Sequence, residues 1–180
     1  MIELARTQES VVLVDAEDNV LGSMEKMEAH RNGALHRAFS IFIFNERGEL
    51  ILQRRAPGKY HSAGLWTNTC CGHPRPEEDL AAAAQRRLME EMNIACVLEH
   101  RFTFAYTAEV GNGLVENELD HVFVGRFNGV PVLDPCEADS WRAVALGALE
   151  LEMTLSPNRF TPWLHACIGK VVNHHRTSAA

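Results

Sequence analysis

Apolar runs separated by short turns predict a chain rich in β-strands. Residues 11–14 and 20–21, joined by a polar turn at residues 15–19, predict a hairpin near the edge of a sheet. Residues 39–44 are apolar at almost every position, which is typical of a strand buried on both faces.

The strand pattern continues through the rest of the chain. A turn at residues 45–48 leads residues 39–44 into a returning strand at residues 49–53. Further strands are predicted at residues 95–98, 102–108, 114–127 and 137–141, with tight turns at residues 111–113 and 128–129.

Helices are predicted between and after these strands. Residues 80–92 contain good helix formers and no breaker, and Asn93 is a plausible stop. Pro76 and the acidic residues behind it predict the start of this helix. A short helix is predicted at residues 145–153. The last helix begins at Thr161-Pro162-Trp163, has an apolar face, and is followed by a polar tail at residues 173–180 that we expect to fray. The residues of that apolar face are Leu164, Cys167, Ile168, Val171 and Val172.

One carboxylate lies on the apolar face of the predicted helix at residues 80–92. At ~3.6 residues per turn, Glu91 falls on the same face as Ala84 and Leu88, which should pack inward. An inward carboxylate is costly unless it is paired or bound to a metal. Arg87, four residues before Glu91, offers an ordinary ion pair as the alternative to a metal.

The composition predicts a single domain of an ordinary globular class. The chain has 180 residues, and its net charge of −7 argues against a general nucleic-acid binder. No apolar run approaches the ~20 residues that span a bilayer, and the first residues lack a signal-peptide pattern. The five cysteines are scattered and form no CxxC motif, as is typical of reduced thiols. We therefore expect a cytoplasmic protein with no membrane partner.

Three histidines and two carboxylates form a candidate metal-ligand set. Glu116 and Glu118 point to the same face of the predicted strand, where two like charges are unfavourable without a cation. Alternatively, this pair faces solvent on an edge strand, and the histidines are structural. Together the nitrogen and oxygen ligands favour zinc, manganese or iron over calcium. The histidines are His30, His36 and His73.

A basic cluster follows the strand at residues 49–53. Arg54, Arg55 and Lys59 are close in sequence, in an otherwise acidic chain and shortly before Cys71. The cluster is either a solvated surface or a site for an anion, and its position beside Cys71 favours the anion site.

The segment at residues 70–94 resembles a known sequence motif. Its spacing matches the Nudix box, although Arg87 stands where that box has a glutamate and Asn93 where it has a glycine. The matching residues are Gly72, Glu78, Arg86, Leu88, Glu90, Glu91 and Ile94. A box altered in this way and preceded by Cys-Gly-His-Pro resembles the type I isopentenyl-diphosphate delta-isomerase family, and the resemblance runs from about residue 11 to residue 163.

The resemblance implies a fold and an activity. The fold is α/β (α+β), with a Nudix-type mixed β-sheet between α-helices in one domain over residues 1–180. The activity is conversion of isopentenyl diphosphate to dimethylallyl diphosphate by protonation and deprotonation, in isoprenoid biosynthesis. We expect this small-molecule substrate, no nucleic-acid partner, and a monomer or weak homodimer.

The resemblance also assigns roles to individual residues. Cys71, Glu118, Tyr106 and Trp163 are the expected catalytic residues, and Lys26, Arg55 and Lys59 the expected substrate-binding residues. The expected ligands of a divalent Mn²⁺ or Zn²⁺ ion are His30, His36, His73, Glu116 and Glu118. Glu91 is expected to hold Mg²⁺ with the substrate diphosphate.

Two other functions remain open at this stage. A Nudix pyrophosphohydrolase acting on a nucleoside diphosphate derivative would release phosphate and tolerate loss of Cys71. A Nudix-like binding module would bind its ligand without turnover. Arg87 argues against the hydrolase, because an arginine there removes a carboxylate that a hydrolase needs to hold metal and activate water.

Overall fold

The computed structural model describes residues 9–177. The prediction that the chain has no signal peptide concerns its first residues, and residues 1–8 lie outside this range. The strands are β1 (Ser10–Val14), β2 (Val20–Glu25), β3 (His36–Phe44), β4 (Leu50–Arg55), β5 (Trp66–Thr67), β6 (Cys70–Gly72), β7 (Leu98–Gly111), β8 (Leu114–Arg126) and β9 (Ala138–Val144). The helices are α1 (Lys26–Asn32), α2 (Leu80–Met92), α3 (Leu146–Leu155) and α4 (Pro162–Thr177), with a short 3₁₀ turn at Pro157–Arg159.

Strand β3 is the centre of a mixed sheet. It pairs in parallel with β8, in a register that runs from His36 opposite Glu118 to Phe44 opposite Arg126. It also pairs antiparallel with β1, β4 and β6, while β7 adds to β8 and β9 adds to β4. The predicted hairpin of β1 and β2 lies at one end of the order β2-β1-β3-β4-β5. The mixed sheet predicted from the resemblance is confirmed.

Helices cover both faces of this sheet, and β3 shows why. Its odd-numbered residues, such as Ile41 and Ile43, pack in one core cluster with Leu88 of α2. Its even-numbered residues, such as Phe42, pack in a second cluster with Leu164 of α4. Alternate side chains of a strand point to opposite faces, so a continuously apolar strand needs a partner layer on each side. The prediction that residues 39–44 are buried on both faces is confirmed.

Helix α2 covers the predicted run of residues 80–92, but it begins later than the start predicted at Pro76. The Asp79 side chain caps it by accepting a hydrogen bond from the backbone N–H of Ala82, so Pro76 lies outside the helix. The prediction that Pro76 occupies the first turn was therefore wrong. Asn93 ends the helix in the left-handed conformation, as predicted, with φ of 51°. Glu91 is 4 % exposed and points inward, which confirms the helical periodicity.

Helix α1, which the sequence did not predict, carries His30; Glu25 caps it, and Gly33 with φ of 60° ends it before His36. Two other predictions need correction. No separate strand forms at 95–97, because β7 begins at Leu98 and runs unbroken to Gly111. Helix α4 continues to Thr177 and includes most of the tail predicted to fray, while residues 178–180 lie outside the described range.

The last helix otherwise follows its prediction. All five residues of its apolar face are buried against the sheet. Between residues 9 and 177, none of the helices is long and apolar enough to cross a membrane.

Gly125 lies in a closely packed part of the sheet, whereas Gly147 has free space around it, so substitutions at these two glycines test the packing. A Cβ at Gly125 would lie 2.9 Å from the Ile43 side chain, the Cys96 sulfur and the Val97 carbonyl oxygen, whereas a Cβ at Gly147 meets nothing within 4 Å. We expect Gly125→Ala to lower the free energy of unfolding by about 1–3 kcal/mol through overpacking. Gly147→Ala, near the start of α3, should be neutral or stabilising by up to about 1 kcal/mol. Urea unfolding measures both, and equal effects would contradict the close packing at β8.

Candidate active site

A cavity of about 380 Å³ collects almost all the residues that were predicted to act in the site. Its walls come from the first hairpin, the loop after β4, strand β6, helix α2, strands β7 and β8, and the start of α4. The predicted residues that line it are Lys26, Arg55, Lys59, Cys71, His73, Glu91, Tyr106, Glu116, Glu118 and Trp163. The two others, His30 and His36, are completely buried and adjoin His73.

The five predicted metal ligands form one cluster. One ligand atom from each of them lies within 4.8 Å of the others, and no other such group is found among residues 9–177. The parallel register of β3 and β8 places His36 opposite Glu118, and alternation along β8 brings Glu116 to the same face. Both carboxylates are buried, so the alternative of a solvent-facing pair was wrong. The residues of the cluster are His30, His36, His73, Glu116 and Glu118.

Backbone contacts orient two of the histidine rings. Nδ1 of His30 lies 2.6 Å from the Lys26 carbonyl oxygen, and Nδ1 of His36 lies 2.8 Å from the Ala34 carbonyl oxygen. Because a carbonyl only accepts, each Nδ1 carries the proton and each Nε2 presents its lone pair. Nε2 of His36 lies 3.2 Å from Nε2 of His73, so the ring nitrogens converge.

The donor set fits a divalent cation. His30 Nε2 and Glu116 Oε2 are buried 3.0 Å apart, and neither atom has a hydrogen-bond partner within the described residues 9–177. Glu118 Oε1 lies 2.8 Å from His73 Nε2 and 3.6 Å from His36 Nε2. Burial lowers the pKa of His73 to about 4, which leaves its ring in the neutral form that binds metal. Two buried carboxylates among three imidazole rings are the nitrogen and oxygen ligands that suit a divalent transition metal.

Cys71 faces the cavity, whereas Cys70 faces the core. Successive residues of β6 point to opposite sides of the sheet, so Cys70 packs with the apolar residues under α2. Cys71 lies with Tyr106 and Trp163 in a separate cluster. Burial raises the pKa of the Cys71 thiol far above its usual range, so the sulfur is protonated at neutral pH.

Tyr106 and Glu118 form a second functional pair in the same cavity. The Tyr106 hydroxyl donates a hydrogen bond of 2.5 Å to Glu118 Oε2. Burial and the charge of Glu118 raise the pKa of Tyr106 well above its usual value, so the hydroxyl keeps its proton. Glu118 thus faces the histidine cluster with one oxygen and Tyr106 with the other.

Trp163 forms an aromatic wall whose orientation is held by the protein. Its indole N–H donates a hydrogen bond of 2.7 Å to the Thr67 hydroxyl. The Arg55 guanidinium lies 5.1 Å from the centre of the ring, at a cation–π distance. The indole is 3 % exposed, so its contacts with other side chains decide its position.

Cations at the mouth of the cavity are paired with carboxylates. Lys26 contacts Glu9 at 3.0 Å, and Lys59 contacts Glu137 at 2.5 Å. Arg87 also reaches Glu137, at 3.2 Å. Burial alone would raise the pKa of Glu137, but the charges of Lys59 and Arg87 outweigh it and lower this pKa to about 2.

The remaining charged residues of α2, which belong to the altered Nudix-like segment, form ion pairs and hydrogen bonds. The predicted i,i+4 pair exists, since Arg87 contacts Glu91, and Arg86 makes a second such pair with Glu90 at 3.2 Å. The second oxygen of Glu91 accepts a hydrogen bond of 2.8 Å from the Gln53 amide. Arg86 also holds Glu78 before the helix, at 2.7 and 2.9 Å.

Three residues in or next to the site were not predicted from the sequence. His61 contacts Glu116 Oε1 at 3.0 Å, and its only sequence signal is that it follows the basic Lys59 by two residues. Asp120 continues the alternation of carboxylates along β8 and is completely buried, and that burial raises its pKa well above the usual range. Glu137 gave no signal, because its role depends on contacts across the fold.

The pairing of Glu137 predicts a pH-dependent contribution to stability. Because its folded pKa is lowered from 4.5 to about 2, the contribution is complete above pH 4.5 and is lost as the pH falls toward 2. We expect Glu137→Gln to lower stability at neutral pH by about 1–2 kcal/mol, and this deficit should shrink with acid. Urea unfolding over a pH series measures it, with Glu46→Gln at an exposed turn as the control. A deficit that does not change with pH would contradict the assignment.

Two solved structures share the fold of this chain. The crystal structure of DR0079 from Deinococcus radiodurans matches 90 % of this chain and 98 % of its own, with a TM-score of 0.76 and 19 % identity. The MutT protein of Methanosarcina mazei matches 81 % of this chain and 96 % of its own, with a TM-score of 0.62 and 20 % identity. At these identities the likeness concerns the fold alone.

Comparison of sequences is more specific. The NUDIX domain family matches residues 34–164. "Isopentenyl-diphosphate Delta-isomerase 2" of Aromatoleum aromaticum is 52 % identical over 92 % of this chain and 88 % of its own length. "Isopentenyl-diphosphate Delta-isomerase" of Serratia proteamaculans is 53 % identical over 86 % of this chain and 87 % of its own. The chain therefore belongs to the isopentenyl-diphosphate delta-isomerase family of NUDIX-domain proteins.

Proposed function

We propose that this protein is an isomerase that interconverts isopentenyl diphosphate and dimethylallyl diphosphate. The observation that carries the proposal is a single cavity that joins a protonated thiol, a carboxylate bonded to a tyrosine, an aromatic wall and a cationic mouth. The names of relatives about 50 % identical to this chain support the same substrate and reaction.

The reaction explains why these groups are needed together. The π electrons of the terminal double bond take a proton onto the CH₂ carbon, leaving a tertiary carbocation. A C–H bond of the neighbouring methylene then breaks, its electrons form the new double bond, and its proton passes to a base. The site must therefore supply an acid, a base and an electron-rich surface while excluding water that would trap the cation.

Cys71 and Glu118 are the proposed proton-transfer groups. Cys71 holds a proton at neutral pH in its buried position, and Glu118 presents an oxygen that already accepts a hydrogen bond from Tyr106. In a reversible reaction, each group gives a proton in one direction and takes one in the other. Tyr106 holds the Glu118 carboxylate in place through its hydrogen bond.

Trp163 is proposed to face the carbocation. An indole ring has a negative face that attracts a cation, and the effect strengthens when the cation is desolvated. The hydrogen bond to Thr67 keeps the ring in one orientation, and burial of the indole keeps water from that wall of the cavity.

A divalent transition metal, Mn²⁺ or Zn²⁺, is proposed for the histidine cluster. It would be held by the three histidines and two carboxylates described above, and it would offset the negative charge of Glu116 and Glu118 and restrain Glu118. The protein itself supplies the converging ring nitrogens and the buried, unpartnered atoms of His30 and Glu116 that call for such an ion.

The diphosphate is proposed to bind at the cationic mouth. Lys26, Arg55 and Lys59 line the cavity, and a diphosphate would replace the carboxylate partners of the lysines. Mg²⁺ usually binds through one or two carboxylates together with substrate phosphates, a role proposed here for Glu91. Arg87, beside Glu91, adds positive charge at the position where the Nudix box has a carboxylate.

The same arrangement argues against hydrolysis as the main activity. A hydrolase needs carboxylates around a metal that activates water at phosphorus. Here Glu90 is paired with Arg86 and Arg87, and Glu78 is paired with Arg86. The diphosphate then serves only to bind the substrate, and the chemistry takes place at carbon.

We also propose that the protein acts in the cytoplasm as a monomer or weak homodimer.

Nuclear magnetic resonance distinguishes the proposed reaction from its alternatives. We expect incubation with isopentenyl diphosphate, Mg²⁺ and D₂O to give dimethylallyl diphosphate carrying deuterium, because the proton-transfer groups exchange with solvent. Both phosphorus signals of the diphosphate should persist. Release of phosphate or pyrophosphate would instead identify a hydrolase, and an unchanged substrate with confirmed metal content would identify a binding module.

Replacing Cys71 tests its role directly. We expect Cys71→Ala to lower kcat by roughly 10²–10⁴-fold, the usual contribution of a proton-transfer group, with substrate binding retained. Calorimetry with isopentenyl diphosphate measures the binding. The exposed Cys136→Ala is the matched control and should keep full activity. Comparable activity in both variants would exclude Cys71 as a proton-transfer group.

A further inference from the structure

His61 contacts the candidate metal site from outside the ligand cluster. It belongs to the loop between β4 and β5 and is 5 % exposed. Its Nε2 lies 3.0 Å from Oε1 of Glu116, while Oε2 of the same carboxylate lies 3.0 Å from Nε2 of His30. The carboxylate is thus held between a ligand histidine on one side and His61 on the other.

We propose that His61 is a positioning residue that holds Glu116 in the orientation for binding metal and connects it to the aromatic wall of the cavity. The inference rests on the proposed metal site. It adds a residue that gives no ligand atom to the cluster, and that acts through Glu116 on one side and Trp163 on the other.

The contacts of the ring assign its tautomer. Nε2 of His61 faces a carboxylate oxygen of Glu116, which only accepts, while Nδ1 lies 3.3 Å from the Ser62 hydroxyl, which can donate, so the ring proton is on Nε2. That N–H points to Glu116 Oε1, which accepts. The neutral ring therefore satisfies one oxygen of Glu116 and leaves Oε2 for the cluster. Ligand groups of metal sites commonly depend on such outer hydrogen bonds for their orientation.

The ring of His61 is held by aromatic neighbours. It stands perpendicular to the indole of Trp163, with ring centres 5.6 Å apart, and perpendicular to Tyr60 at 4.4 Å. Its backbone carbonyl accepts a hydrogen bond of 3.1 Å from Arg55, which also lies over Trp163. A displaced His61 would therefore disturb both a proposed metal ligand and the proposed cation-facing ring.

Removal of the ring should weaken metal binding without removing a ligand. In His61→Ala, Oε1 of Glu116 loses its donor, and the carboxylate is free to rotate away from the cluster. Loss of an outer partner typically costs 10–100-fold in metal affinity. A glutamine can place an amide N–H near the position of Nε2–H, so His61→Gln should restore most of the loss.

The experiment measures metal affinity directly. The purified full-length protein is stripped of metal and titrated with Zn²⁺ against a chelator of known affinity. We expect His61→Ala to bind Zn²⁺ about 10–100-fold more weakly than the wild type, and His61→Gln to remain close to the wild type. His100→Ala, which removes a histidine from the exposed part of the sheet, should bind as the wild type does. Thermal unfolding of each metal-free variant shows whether the fold is intact.

The outcomes separate this inference from the proposed function. Unchanged affinity in His61→Ala would overturn the role of His61 and leave the metal site standing. An equal loss in His61→Ala and His61→Gln, with lowered thermal stability, would show a structural role only and would also overturn it. A wild type that binds no Zn²⁺ would overturn the proposed metal site itself.

Discussion

The structure depends on burying a cluster of charged and polar side chains away from water. Only neighbouring side chains, or a bound cation, can replace the contacts that water would make with them. Glu116 and Glu118 are almost completely buried, and His30 and His36 are fully so. Moving such groups out of water costs several kcal/mol each unless opposite charge or hydrogen bonds compensate. The hydroxyl of Tyr106 and the ring nitrogen of His61 offset part of this cost. A divalent cation would complete the balance at His30 Nε2 and Glu116 Oε2, which have no hydrogen-bond partner among residues 9–177.

The parallel pairing of β3 with β8 makes this burial possible. It places His36 and Glu118 at one level of the sheet, and the strands then continue as the apolar centre of the protein. The site therefore lies where the buried apolar part of the sheet begins. Groups on rigid strands are held more precisely than groups on loops, which suits a reaction that requires exact placement of acid and base.

The charges of α2 show how a fold shared with hydrolases can serve chemistry at carbon. Arg86 and Arg87 pair with the carboxylates Glu78 and Glu90, and Arg87 also pairs with Glu91, which lines the cavity. The ion pair that the sequence offered as the ordinary alternative to metal binding thus exists. Cys71, Glu118 and Trp163 line the same cavity. Fold and function are separable in this way because function lies in the site.

The sequence by itself determined the longer strands, the long helix and the inward position of Glu91, because these follow from local periodicity and from capping by Asn93. Matches to family motifs also named residues that the structure brings together at one cavity. Only the tertiary structure decided that Cys71 faces the cavity, that Glu137 pairs with Lys59, and that His61 contacts Glu116. These contacts join residues on separate elements, and their geometry depends on sheet register and helix packing, which no local pattern in one sequence specifies.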